Sequence, residues 1–138
     1  MAIDTKDTKD LELSHGFARA YREVDEEAML AVLAPGARYR MLMPRGYTED
    51  QGPDKLIAKL REFATKWTFS GVDSVEAELL SQNVLSTGRL VLVGQRLRLT
   101  SVAGDRTGTM VMKYLLAIKD GRIELADELC SGLMPQAG

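Results

Sequence analysis

The sequence predicts one α+β domain: three N-terminal helices wrapped by a cone-shaped, curved and largely antiparallel sheet that encloses an apolar pocket. Three observations predict it. Apolar residues recur at spacings of three and four along the first part of the chain, the period of a helix with one buried face. Beyond about residue 74 they alternate with polar residues, the period of a half-buried strand. Two turn sequences, Ala103-Gly104-Asp105-Arg106 and Lys119-Asp120-Gly121-Arg122, break that alternation as hairpins do.

Residues 1–9 read as a flexible, solvated tail. From about Asp10 to Val24, Leu13, Phe17, Tyr21 and Val24 form one helical stripe. Asp25 suits the N-cap of a second, short helix, with Glu26 and Glu27 in its first turn, where negative charge meets the positive end of the helix dipole. Met29, Leu30 and Leu33 are its apolar face, and Pro35-Gly36 ends it. Ala37 to Met43 reads as a strand and residues 44–53 as a loop. Pro53 fits the first turn of a third helix, about Asp54 to Lys66, because its fixed φ suits that position. Leu56, Ile57, Leu60 and Phe63 face inward from it. Strands follow: one carrying Val75, Ala77 and Leu79, a long one from about Val84 to Val102, one from about Gly108 to Ile118, and a last one from Ile123 to Leu129.

The 138 residues suit a single domain, and a chain of this size needs no disulfide or metal staple to build a core. A net charge of −2 argues against a nucleic-acid binder. The single His15 and the single Cys130 are too few for a typical Cys/His metal site, and no disulfide can form within the chain. No apolar run approaches the ~18 residues that span a membrane. The polar start of the chain does not read as a signal segment, so a cytoplasmic location is expected. No metal or cofactor is expected.

The order of elements resembles the nuclear transport factor 2-like superfamily, which includes ketosteroid isomerases, SnoaL-like polyketide cyclases and limonene epoxide hydrolase. The marks are Val24-Asp25-Glu26-Glu27-Ala28-Met29-Leu30, Gly52-Pro53-Asp54-Lys55-Leu56 and Lys119-Asp120-Gly121-Arg122-Ile123. The resemblance covers almost the whole chain and implies a sheet curled around helices with a pocket inside. It also implies catalytic positions, and several are altered. Phe17 stands where bacterial ketosteroid isomerases carry a helix-1 tyrosine, and Met41 where they carry the general-base aspartate. Tyr114 falls near their protonated oxyanion-hole aspartate. Arg96-Leu97-Arg98 stands where limonene epoxide hydrolase has Arg-x-Asp, and its last-strand aspartate maps to Asp127 or Glu128.

Acid–base chemistry must therefore come from elsewhere, and the sheet offers few candidates. Asp127 continues the face of Ile123 and Leu125; a carboxylate among apolar groups has its pKa raised and can move protons near neutrality. Glu128 takes that role if the strand carries a bulge, which would flip the facing. Tyr114 shares a face with Met110 and Met112 and is either a pocket hydroxyl or a core tyrosine with its tip satisfied. Met41, Met43, Met110 and Met112, with Phe17, Tyr21, Tyr39 and Trp67, either line a pocket for an irregular lipophilic molecule or pack as ordinary core. Arg96 and Arg98 share one face of the long strand. They either form a charged outer face with Glu76, Glu78 and Lys113, a face that in this superfamily often forms a dimer interface, or one of them points inward at an anionic oxygen. His15 belongs with Arg19 and Arg22 on the solvated side of its helix.

Two functions fit. The first is a cofactor-free cyclase or isomerase acting on a hydrophobic polyketide-, terpenoid- or steroid-like molecule, with Asp127 moving the proton and Tyr114 stabilising developing oxygen charge; an epoxide hydrolase-like reaction is a variant. The second is a non-catalytic module that binds a lipophilic ligand or dimerises. A homodimer is expected in either case.

Overall fold

The computed structural model describes residues 5–80 and 89–135. Helix α1 spans Thr5–Glu23 and α2 Glu26–Val32, followed by strands β1 (Leu33–Met43) and β2 (Gly46–Gln51). Helix α3 (Pro53–Ala64) leads into β3 (Trp67–Leu79), β4 (Arg89–Ser101), β5 (Thr107–Lys119), β6 (Arg122–Cys130) and the two-residue β7 (Met134–Pro135). The α1 helix starts inside the segment expected to be a tail, and an ion pair between Asp7 and Arg89 ties its first turn to β4. Residues 84–88 of the expected long strand lie outside the described residues.

The strands lie in the order β2-β1-β6-β5-β4-β3, with β7 added to β5. The path does not close, so the sheet is a mixed, open cone. All neighbours are antiparallel except β1 and β6, which run parallel. The hairpin β1–β2 precedes α3, so only two of the three helices come before the first strand.

Local chemistry explains most boundaries. The Asp25 side chain accepts a hydrogen bond from the Ala28 N–H at 3.1 Å, capping α2 as expected. That helix ends earlier than Pro35-Gly36, at Val32, and the Pro-Gly pair sits in β1 where its register against β6 shifts between Leu33 and Arg38. Proline is tolerated in a strand at such irregularities because no ladder donor is needed there. Pro53 occupies the first turn of α3. Asp120 (φ 52°) and Gly121 (φ 74°) both have positive φ, the requirement of the tight turn that matches strand twist. The segment expected to be a loop after Met43 instead contains β2, an exposed and polar edge strand.

The core fills the space between the helices and the concave face of the sheet. Phe17, Met29, Leu56, Val91, Leu97, Met112, Tyr114, Leu116 and Ile123 are fully or almost fully buried there. In β4 the inward residues are Val91, Val93, Gln95, Leu97 and Leu99. Arg96 and Arg98 are exposed on the other face, so neither arginine enters the interior.

Candidate functional site

A cavity of about 370 Å³ opens between α3 and the concave face of the sheet. Tyr21 reaches it from α1, Met41 and Met43 from β1, and Thr48 from β2. Leu56, Leu60 and Phe63 line it from one face of α3, with Lys59 and Glu62 beside them and Lys66 just beyond. Trp67, Met110, Glu128 and Cys130 complete the wall from β3, β5 and β6. The wall is thus mostly apolar, with a few polar groups, as in small-molecule sites generally.

Two carboxylates line the cavity: Glu62 is exposed and Glu128 is buried, and the reason Glu128 faces inward lies in the backbone of β6. Ile118 pairs with Ile123 and Ala117 with Leu125, which leaves Glu124 as an extra residue opposite β5. This bulge reverses the alternation. Ile123 points inward, and after it Ala126, Glu128 and Cys130 do so. Asp127, expected on the inner face, lies on the outer face, where Arg40 binds it through both Nε and an Nη at 2.6 Å. Its side chain is one-third exposed, and it is not a cavity residue.

Glu128 is 2% exposed. The Tyr39 hydroxyl donates to its Oε1. Its Oε2 is buried and has no hydrogen-bond partner among the described residues. Burial disfavours the charged form and pushes the carboxyl from 4.5 to about 7; the phenols of Tyr39 and Tyr21 and the positive charge of Lys59 pull the other way. Lys59 is itself held by Asp50 at 2.5 Å and by the Thr48 hydroxyl at 2.9 Å. Burial pushes the Cys130 thiol up to about 11, so it stays protonated at neutral pH. A carboxyl whose pKa is raised to about 7 by burial beside a mostly apolar cavity can both accept and return a proton.

Of the eight residues expected to contact a substrate, Tyr21, Met41, Met43, Trp67 and Met110 line the cavity. Phe17 and Met112 do not; they are completely buried in the core. Tyr39 lies behind Glu128 and meets the site only through it. Tyr114, expected to be a catalytic hydroxyl, is also core. Its oxygen accepts from Gln95 Nε2 at 3.0 Å and faces Met112 Sδ at 3.3 Å, and its ring packs edge-on against Phe17. Tyr21 is the phenol that does reach the cavity, and burial raises its pKa well above the usual value. His15 is exposed on α1. Among the described residues, no three His, Cys, Asp or Glu side chains gather in a metal-binding group.

No protein-family model matches the sequence, and no curated protein matches it at a significant level. Solved structures do match. A Bacillus subtilis protein assigned as an isomerase superposes with a TM-score of 0.71 at 11% identity, over 93% of this chain and 90% of that one. A Xanthomonas campestris protein assigned as a polyketide cyclase gives 0.69 at 16% identity, over 88% and 90%. An epoxide hydrolase of M. tuberculosis, like limonene epoxide hydrolase, gives 0.63 at 17% identity, over 92% and 81%. At such identities the likeness speaks for the fold: the chain adopts the nuclear transport factor 2-like fold.

Proposed function

We propose that the protein is a small-molecule enzyme of the isomerase or cyclase type that needs no cofactor, with Glu128 as its general acid–base. The observation that carries this reading is the free Oε2 of a buried Glu128 in the wall of an apolar cavity. A carboxylate in that setting is costly unless a bound molecule uses it. The ionised form removes a proton from an acidic C–H or O–H of the substrate, and the protonated form returns it. Tyr21, on the same wall, offers a hydroxyl to oxygen charge that develops nearby. The Met side chains and Trp67 hold the carbon skeleton in a reactive conformer. The structural neighbours assigned as an isomerase and a polyketide cyclase support this class of chemistry.

The epoxide hydrolase variant has less support. Arg96 and Arg98, which stand where that enzyme has Arg-x-Asp, lie on the outer face, and of Asp127 and Glu128, the two candidates for its last-strand aspartate, only Glu128 faces the cavity. The alternative of a non-catalytic lipophilic carrier draws on Phe17 and Met41, the apolar replacements at the isomerase positions. We also propose that the protein is a cytoplasmic homodimer joined through the outer face of the sheet. Leu42, Tyr47 and Leu129 are exposed on that face by 50%, 57% and 56%, and they border a groove with Leu92 and Leu115. No helix among the described residues is long and apolar enough to cross a membrane.

The experiment is solvent exchange. A panel of lipophilic ketones with an acidic C–H beside the carbonyl is incubated in D₂O with the wild type and with Glu128→Gln, and deuterium uptake is read by mass spectrometry. The expected result is uptake by the wild type that falls by roughly 10²-fold or more in the variant, the scale of a lost general base. Equal uptake by both proteins removes Glu128 from the mechanism. Tight binding of the same ketones without any exchange favours the carrier.

A further inference from the structure

The Tyr39 side chain is buried, points inward from β1 and contributes nothing to the cavity wall. Its strand runs parallel to β6, with Tyr39 opposite Ala126 and Met41 opposite Glu128. That register brings the phenol across to the carboxylate, and the hydroxyl donates to Oε1. Resting on the acid–base reading above, we propose that Tyr39 is a positioning residue: it holds Oε1 and so presents Oε2 as the one oxygen that meets a molecule in the cavity.

Three features support this role. A carboxylate on a strand can turn about its terminal bond and offer either oxygen. A hydrogen bond to one oxygen removes that freedom, so the lone pairs of Oε2 keep a fixed direction. The donor cannot be confused with a substrate contact, because Tyr39 stays out of the cavity. The other titratable groups facing Glu128 are Tyr21 from α1, Lys59 from α3, Tyr114 from β5 and Cys130 from β6 itself. The Tyr39 phenol donates to Oε1, and the Tyr21 phenol also pulls the Glu128 pKa down, less than Tyr39 does. A phenol O–H binds the charged carboxylate better than the neutral acid, so it lowers the midpoint of Glu128 titration.

The test needs no substrate. Protein labelled with ¹³C at the glutamate carboxyls is titrated by NMR, with Glu128→Gln identifying the signal. In Tyr39→Phe, which keeps the ring and removes only the hydroxyl, the Glu128 midpoint is expected to rise by about one to two pH units, from a charge-assisted hydrogen bond of ordinary strength. Placing 3-fluorotyrosine at position 39 makes the phenol more acidic and a better donor, and lowers the midpoint instead. Binding of 8-anilinonaphthalene-1-sulfonate to the cavity is expected to stay within twofold in both, because neither change touches the wall. A midpoint that is unchanged or falls in folded Tyr39→Phe overturns the proposal. If that variant does not fold, an unchanged midpoint in the fluorinated protein overturns it equally. The outcome is separable from catalysis. A midpoint shift in a protein without exchange activity keeps Tyr39 and removes the acid–base reading, whereas exchange activity without a shift does the reverse.

Discussion

Asp127 and Glu128 are chain neighbours with the same functional group, yet they live in opposite worlds. Asp127 faces outward, one-third exposed, gripped by the Arg40 guanidinium. Glu128 faces inward, almost fully buried, with a phenol on one oxygen and no partner on the other. The first has its charge matched and remains in contact with water, so it is an ordinary surface ion pair. The second sits at a pKa of about 7, held up by burial. Strand alternation puts them on opposite faces, and a single extra backbone residue, Glu124, decides which of the two is inside. Chemical role on this strand is therefore set by facing rather than by residue type.

Substituting the two carboxylates separately tests that contrast, and the largest expected effect is kinetic. Glu128→Gln is expected to lower proton-transfer turnover by 10²- to 10⁴-fold, roughly the range for a lost general acid–base. Asp127→Asn is expected to change turnover by less than about threefold and to cost at most ~1 kcal/mol in urea unfolding, the range for solvent-exposed ion pairs. A large kinetic loss in Asp127→Asn with an active Glu128→Gln would reverse the assignment.

Stability should respond to pH in the same divided way. The folded pKa of Glu128 is raised, so between 4.5 and about 7 the folded state holds a proton that the unfolded state has released. Stability from this group is fully present below pH 4.5 and is lost as pH rises to about 7. The loss is on the order of 3 kcal/mol. Unfolding curves from pH 4 to 8 are expected to show it in the wild type and not in Glu128→Gln, which should be the more stable protein at pH 8.

A smaller effect separates the buried phenols. Tyr114→Phe leaves Gln95 Nε2 without its acceptor and is expected to cost about 1–3 kcal/mol of stability, with turnover within threefold. Smaller again in free energy is Leu129→Glu on the outer face. It should leave folding nearly intact, since surface changes usually stay within about 0.5 kcal/mol. It should nonetheless convert a dimer to monomers by sedimentation at tens of micromolar. A wild type that is already monomeric there defeats the proposed assembly.

The parts of the molecule legible in the sequence are those written in local chemistry. Asp25 reads as a cap because only its own helix is involved, and Asp120-Gly121 reads as a turn because the backbone itself demands positive φ. Alternation puts Arg96 and Arg98 on one face of β4 but leaves open whether either points inward; both are exposed. Other parts lie between segments. The β2 strand is polar on both faces because it is an exposed edge, so no periodicity marks it. The bulge at Glu124 leaves no compositional trace, so the facing of Asp127 and Glu128 stayed open as alternatives. Alternation places Tyr114 on the inner face correctly but says nothing of depth, and Phe17 and Met112 fill the space between it and the helices. Tyr39 was legible as inward-facing, while its partner, 89 residues away, was not.

That parallel pair of strands also shapes how the chain reaches its native state. β1 has only β2 as a local partner, and its other edge stays uncovered until β6 arrives from the far end of the sequence. Contacts at such separation carry a large loop-closure cost before they return any stability, and they slow folding. During synthesis the segment carrying Tyr39, Met41 and Leu42 emerges long before its neighbour strand, with backbone donors and apolar side chains on offer to any passing strand. The β1–β6 part of the cavity wall therefore waits on a pairing between distant segments, a step open to misassembly while both edges are uncovered.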